Sequence, residues 1–125
     1  MLKKKIIIIG AGGHAKSCIN VLESTKKFKL VGIVEKKMSN KKILNYKIIG
    51  SDEDLSRLIK ITKNIFIGVG LIKNYKRRYD LIKRLNKLKL NFIKIISNKA
   101  NVSTNSLIND GTIVMHKAII GPNSL

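Results

Sequence analysis

A glycine-rich turn between a predicted strand and a predicted helix is the part of this sequence best suited to chemistry. The turn reads Gly10-Ala11-Gly12-Gly13-His14-Ala15, which fits the G-x-G-x-x-G/A pattern of nucleotide-binding turns. Gly10 permits a tight turn, and Gly12 lets the backbone approach a diphosphate held by free N–H groups at the helix N-terminus. His14 either donates a hydrogen bond to that anion or lies in solvent. Gly10, Gly12, Gly13 and His14 are predicted to form a phosphate site, with a plain tight turn as the alternative.

Three further residues follow predicted strands at the same edge of the sheet. Glu35 ends the second strand, about 20 residues beyond the glycines, where a carboxylate can accept hydrogen bonds from ribose hydroxyls. Lys36 can neutralise a phosphate, and Gly70 follows a strand that also contains Gly68. The alternatives are exposed charges at Glu35 and Lys36 and an ordinary strand-to-helix turn at Gly70. We predict that Glu35, Lys36 and Gly70 complete the nucleotide site.

The other residues with reactive side chains give no catalytic or metal signature. Cys18 lies on the predicted buried face of the first helix, and His116 lies at a variable position of a C-terminal repeat. No set of Cys and His residues has the spacing of metal ligands. The sequence therefore predicts neither a catalytic residue nor a metal site.

Strands and helices are predicted to alternate from residue 4 to residue 96, and this alternation positions the turn. A capping-box spacing at Ser51 and Asp54 marks one helix start, and a polar loop is predicted over Lys36–Lys47. A later helix is predicted over Tyr75–Leu90, with Tyr79 on its apolar face. Such alternation predicts a parallel, doubly wound α/β sheet. The predicted strands are Lys4–Ile9, Leu30–Val34, Ile48–Ile49, Ile65–Val69 and Phe92–Ile96.

A six-residue period replaces the helical one beyond Ala100. Aliphatic residues stand six apart, and a small residue follows each of them four positions later. Fixed short repeats indicate a solenoid, and this period predicts a left-handed β-helix with three hexads to a turn. An alternating amphipathic strand is the alternative, and the repeat is incomplete at Leu125. The aliphatic positions are Val102, Ile108, Val114 and Ile120, and the small ones are Ser106, Thr112, Ala118 and Ser124.

Composition limits the possible function classes. The 125 residues carry 26 Lys and Arg against seven Asp and Glu, a net charge of +19. That charge suits nucleic acid or an anionic membrane surface, but the frequent Lys, Ile and Asn indicate a compositional bias. A membrane span needs about 18 apolar residues, and the run Ile6–Ile9 is far shorter. We expect a cytoplasmic protein with a small anionic ligand and no specific nucleic acid.

Taken in order, these motifs resemble the nucleotide-sugar and sialic acid O- or N-acetyltransferases typified by the bacillosamine-pathway acetyltransferase. The similar parts are the glycine turn, the strand ends Val31–Glu35 and Phe66–Gly70, and the hexads. The resemblance implies a Rossmann-like domain over 1–97 that binds a UDP-amino sugar through Gly12, Gly13, His14, Glu35 and Lys36. It implies that 98–125 begins a β-helix that forms a homotrimer and binds acetyl-CoA, the co-substrate, between subunits.

Three departures from the family pattern limit what this chain is expected to do. Glu35 stands where the family usually has Asp, and Ser97–Ala100 stands where His-Pro-Ser-Ala is common. The family's catalytic histidine, a general base, lies about one further coil along, and His116 is out of register with it. We expect nucleotide-sugar binding without catalysis, with most of the acetyl-CoA site absent.

Two other function classes remain open from the sequence. An NAD-binding Rossmann module or oxidoreductase fragment is favoured by the glycine turn and Glu35, and it is opposed by the hexads. A basic nucleic-acid-binding protein is favoured by charge alone, since the sequence has no aromatic stacking platform or known binding motif.

Overall fold

The computed structural model describes residues 2–125, except for the side chains of residues 71–74. It contains an α/β unit followed by a coil of short strands. Three helices are present in the described part of the chain: α1 (Gly13–Thr25), α2 (Leu55–Leu58) and α3 (Leu71–Asn86). The strands are β1 (Lys4–Ile9), β2 (Phe28–Glu35), β3 (Lys42–Ile43), β4 (Tyr46–Ser51), β5 (Asn64–Ile67), β6 (Asn91–Phe92), β7 (Ile95–Ile96), β8 (Asn101–Val102), β9 (Ile113–Val114) and β10 (Ile119–Ile120).

The main sheet has the strand order β3-β4-β2-β1-β5-β6. All of its pairs are parallel except β3 with β4. The predicted parallel α/β sheet is therefore confirmed. β1 lies at its centre, and Ile6–Ile9 are all fully buried. Ile6 and Ile8 pack with α1, whereas Ile7 and Ile9 pack with α2 and α3, as expected for a parallel sheet covered on both faces.

A β-hairpin occupies part of the segment predicted as a polar loop. β3 pairs with β4 through a two-residue turn at Leu44 and Asn45, whose φ angles are 49° and 71°. Two central residues with positive φ are typical of the tight hairpin turns whose twist matches that of the strands. β3 was not predicted from the sequence, because the strand has only one apolar residue, Ile43, which is buried.

The helices start close to where their sequence signals indicated, but their faces differ in detail. The capping box is confirmed: the Ser51 N–H donates to Asp54 Oδ2 over 2.9 Å, at the head of a 3-10 turn that leads into α2. α3 begins and ends about one turn earlier than predicted. Tyr79 was expected on its apolar face and is instead 61% exposed, while Leu81 and Leu85 are buried.

Residues 95–125, called the coil below, contain short strands that pair with one another. The strand predicted over Phe92–Ile96 is two strands, because β6 joins the main sheet and β7 pairs with β9. Ile95 pairs with Ile113, and Val102 pairs with Ile120, so both parallel pairs join residues three hexads apart. The amide of Asn98 donates to the Ser24 carbonyl of α1 over 2.9 Å, which fixes the coil against the α/β unit. Within the described residues, no helix has the length and apolarity needed to cross a membrane.

Candidate functional site

A cavity of about 860 Å³ lies at the carboxyl ends of β1 and β5. The chain leaves β1 toward β2 on one side and returns to β5 on the other, and ligands of open α/β sheets bind at such switch points. Four segments line the cavity: the glycine turn, the end of β5, two arginines of α3 and one edge of the coil. These are residues 10–14, 66–70, Arg77 with Arg78, and Gly111–Ile113.

The glycines of the turn have different local roles. Gly10 has φ +122°, and a Cβ there would lie 2.9 Å from the backbone of Gly68. Its N–H donates to the Val34 carbonyl over 2.8 Å, and the Gly68 N–H donates to the Ile9 carbonyl over 2.7 Å. By contrast, a Cβ at Gly12 or Gly13 would meet nothing within 4 Å. The backbone conformation therefore requires glycine only at the first position, and the later two leave open space.

The open space lies in front of the N-terminus of α1. The helix begins at Gly13, with Gly12 as its N-cap, and no side chain caps it within the described part of the chain. The first-turn N–H groups and the positive end of the helix dipole are thus available to an anion. Thirteen residues make α1 long enough for a full dipole effect.

His14 and Gly70 meet at the rim of this space. The position of a Cβ on Gly70 would lie 3.9 Å from the His14 Cβ, and both residues line the cavity. His14 Nε2 lies 3.6 Å from the Sγ of Cys18, one helical turn away. Burial raises the pKa of the Cys18 thiol to about 11, although the charge of Arg78 opposes that rise. Cys18 is therefore a neutral thiol at pH 7, and it is buried, as predicted from the sequence.

Glu35 and Lys36 do not line the cavity. Glu35 ends β2, and its Oε1 accepts hydrogen bonds from the Lys36 N–H over 2.8 Å and from Arg77 Nη1 over 3.2 Å. The side chain of Lys36 is exposed. Glu35 is thus linked to the cavity through Arg77, and its proposed contact with a nucleotide stays a prediction.

Arg77 was not singled out from the sequence, yet it connects the cavity to two carboxylates. Its Nε and Nη2 donate to the two carboxylate oxygens of Asp52, each over 3.0 Å. Burial alone would lower the pKa of Arg77, but the hydrogen bonds and charges of Asp52 and Glu35 raise it above its ordinary value. This residue is a fixed cation between two strand ends.

Arg78, also missed, has different partners. Its Nη1 donates to the carbonyls of Ile67 and Val69, each over 3.3 Å. Among the described side chains, no carboxylate is within ion-pair distance of Arg78, so its positive charge is not offset locally. The signal that could have found both arginines is their rarity in a chain whose basic residues are mostly lysine. The other arginines are Arg57 and Arg84.

The coil supplies the last wall of the cavity, and one polar pair outside it. Gly111–Ile113 line the cavity, and the Gly111 N–H donates to the Phe92 carbonyl over 3.2 Å. His116 is not in the lining; its Nδ1 lies 2.5 Å from the Oγ of buried Ser97. Among the described residues, no group of three His, Cys, Asp or Glu side chains could hold a metal ion.

Comparisons with known proteins identify the family and the fold. Residues 5–85 match the family described as the PglD N-terminal domain. The acetyltransferase domain of PglB from Neisseria gonorrhoeae FA1090, in complex with acetyl coenzyme A, superimposes with a TM-score of 0.75 and 25% identity. PerB from Caulobacter crescentus, in complex with CoA and GDP-perosamine, has a TM-score of 0.80 and 24% identity. No curated protein sequence matches.

The alignments cover most of this chain but only part of those structures. They include 94% of the present chain, together with 55% of the PglB domain and 54% of PerB. The chain therefore spans about half the length of the solved structures that it matches.

Proposed function

Because the chain belongs to the PglD N-terminal domain family, we propose that it is the nucleotide-sugar-binding part of an acetyl-CoA-dependent sugar acetyltransferase. The acceptor is a UDP-amino sugar or a related sugar such as sialic acid. One observation carries the proposal: a single cavity joins the glycine turn to the edge of the coil. Its volume of about 860 Å³ lies in the usual range of ligand pockets.

The lining residues, together with Glu35 and Lys36 outside the lining, divide according to the parts of a nucleotide sugar. The diphosphate lies at the first turn of α1, where Gly12 and Gly13 leave room and His14 donates a hydrogen bond. Arg78 adds positive charge that no described carboxylate offsets. Glu35 accepts hydrogen bonds from the ribose, with Lys36 beside it. The sugar extends past Gly70 towards the edge of the coil at Gly111–Ile113.

The same proposal divides the chain into two parts. We assign residues 1–97 to a Rossmann-like domain and 98–125 to the opening of a left-handed β-helix built on β7. The stacking of residues three hexads apart supports this assignment, because three hexads make one turn of such a helix. Acetyl-CoA is the co-substrate, as the CoA or acetyl-CoA in both solved structures suggests. We further propose a homotrimer formed through the coil.

A cytoplasmic location is part of the proposal. The one cysteine, Cys18, is a free and buried thiol, which suits a reducing compartment. A nucleic-acid-binding function is favoured by the net charge alone.

A thermal-shift comparison tests the proposal. UDP, GDP, a UDP-amino sugar, NAD, acetyl-CoA and a short DNA duplex are added in turn, and acetyl transfer is assayed in the same samples. A ligand at 100 times its Kd stabilises the folded state by about 2.7 kcal/mol, which gives a clear shift. We expect stabilisation by the uridine or guanosine diphosphates and no acetyl transfer from these 125 residues.

The matched control is Gly12→Ala, which places a methyl group in the space assigned to the diphosphate. At the same ligand concentration it should reduce the ligand-induced stabilisation by about half or more, without lowering the Tm of the free protein by more than a few degrees. Stabilisation by NAD alone would contradict the proposal and favour an oxidoreductase fragment. Acetyl transfer would contradict the expectation of binding without catalysis.

A further inference from the structure

Two adjacent arginines line the same cavity and have unlike partners. Arg77 forms a two-pronged pair with Asp52, and a third hydrogen bond with Glu35. Arg78 donates only to backbone carbonyls among its described hydrogen bonds. The two residues therefore cannot contribute equally to the binding of an anion.

The positive charge of Arg77 is largely offset by neighbouring carboxylates. Asp52 and Glu35 together carry two negative charges around its one positive charge, at 3.0 and 3.2 Å. The side chains of Arg77 and Asp52 are only 17% and 15% exposed, so water screens this cluster weakly. Arg77 is consequently a poor candidate for neutralising a phosphate.

The same cluster leaves one oxygen of Glu35 available. Both described hydrogen bonds to that carboxylate end on Oε1, one from Arg77 and one from the Lys36 N–H. Oε2 has no hydrogen-bond partner within the described residues, and the Glu35 side chain is 32% exposed. A carboxylate that is held through one oxygen, on a partly exposed side chain, is suited to accept a hydrogen bond from a hydroxyl through its other oxygen.

Glutamate needs this support more than a shorter acid would. Its side chain has more rotamers to restrict than that of aspartate, so an unsupported Glu35 would lose more entropy when it binds a ligand. The rigid, planar fork of arginine can hold two carboxylates in fixed geometry, whereas the point charge of lysine cannot.

We propose that Arg77, anchored by Asp52, is a positioning residue. It orients Glu35 so that Glu35 Oε2 accepts hydrogen bonds from the ribose hydroxyls of the bound nucleotide. The inference rests on the proposed function, because it assumes a nucleotide with its diphosphate at the glycine turn. Arg77 sets selectivity for the ribose, and Arg78 supplies charge.

The test measures the affinities of UDP, GDP and their 2′,3′-dideoxy forms for the wild type and for Arg77→Lys. Wild type should prefer the ribose form about tenfold or more, since hydrogen bonds to a charged group have that effect. Arg77→Lys should reduce this preference to about threefold or less. Its affinity for the dideoxy form should stay almost unchanged.

Three companion variants establish the mechanism. Arg84→Gln is the matched control, because Arg84 lies on the same helix and contacts the Asp52 carbonyl but not Glu35; it should keep the full preference. Asp52→Asn should lower the ribose preference partially. If Arg77→Lys does not fold, this variant tests the positioning role of Arg77 in its place. In a Glu35→Gln background, Arg77→Lys should change the preference no further.

Other results overturn the inference in distinguishable ways. A full ribose preference in Arg77→Lys, or an equal loss for ribose and dideoxy ligands, would assign Arg77 a purely structural role. If wild type binds the diphosphates without preferring ribose, the inference fails while the proposed function stands. If wild type binds neither UDP nor GDP, the proposed function fails and the inference fails with it.

Discussion

The central strand of the sheet and the coil differ sharply in how completely they bury their aliphatic side chains. Ile6–Ile9 in β1 are fully buried, because helices cover both faces of the sheet. In the coil, Ile95 and Val114 are buried, but Val102, Ile108 and Ile120 are only half-buried. Each described strand of the coil is paired on one side, and a cavity of about 390 Å³ is lined by Ile108 and Ile120. We therefore expect the sheet to contribute more to the folding free energy than the coil, which contributes a wall of the site.

The largest expected contrast comes from truncating one isoleucine in each region. Ile8→Ala should lower the free energy of unfolding by about 4 kcal/mol, because it empties a fully enclosed position. Ile120→Ala should lower it by only about 1 kcal/mol, since that side chain keeps contact with solvent in the native state. Urea unfolding followed by circular dichroism measures both. Equal losses would mean that the coil is as important for stability as the sheet.

A smaller contrast comes from two glycines with positive φ. Gly10→Ala should cost about 3 kcal/mol, because it combines a disfavoured conformation with a contact against backbone. Gly111→Ala should cost about 1 kcal/mol, since its φ is +78° but the nearest atom to the new methyl group is 3.9 Å away. The difference between the two unfolding free energies checks this. Similar values would show that the contact with Gly68 relaxes easily.

A third prediction separates stability from binding within the turn itself. Gly12→Ala should change the free energy of unfolding by less than about 1 kcal/mol, because its φ is −84° and alanine tolerates it. Diphosphate affinity should nevertheless fall about tenfold or more, as the methyl group occupies the anion's approach. Calorimetric titration with UDP and GDP gives the affinity. Unchanged affinity would place the diphosphate elsewhere.

The smallest expected effect concerns pH and Cys18. Burial raises the folded-state pKa of the Cys18 thiol to about 11, above its ordinary value of 9.0, so the unfolded state loses the proton first as the pH rises. The stability contributed by the buried thiol is therefore present below pH 9 and is lost between about pH 9 and 11. Wild type should lose more stability over this window than Cys18→Ala. Parallel pH profiles for the two would contradict the burial of a neutral thiol.

Much of the α/β unit could be predicted from local pattern. The strand at Lys4–Ile9, the helix after it and the capping box at Ser51 follow from periodicity and spacing within a few residues. The hairpin at Ile43 could not be predicted, because two residues carry too little pattern. Tyr79 was placed on the wrong face, since a helix with several apolar positions permits more than one buried stripe.

The residues that line the candidate site were likewise predicted only in part. Gly10, Gly12, Gly13, His14 and Gly70, all next to predicted strand ends, line the cavity. Glu35 and Lys36 were predicted beside them and lie outside the lining. Parallel strands bring their carboxyl ends to one edge, but the distance along that edge depends on strand order, which local pattern does not contain.

By itself, the sequence determined the glycine turn, the alternation of strand and helix, and the six-residue period, because each depends on backbone preferences and burial over short stretches. Only the tertiary structure decided that Arg77 joins Glu35, 42 residues away, and that Gly111–Ile113 close the cavity. Such contacts are set by how packed elements meet, and among so many basic residues no local pattern marks which one will meet a carboxylate.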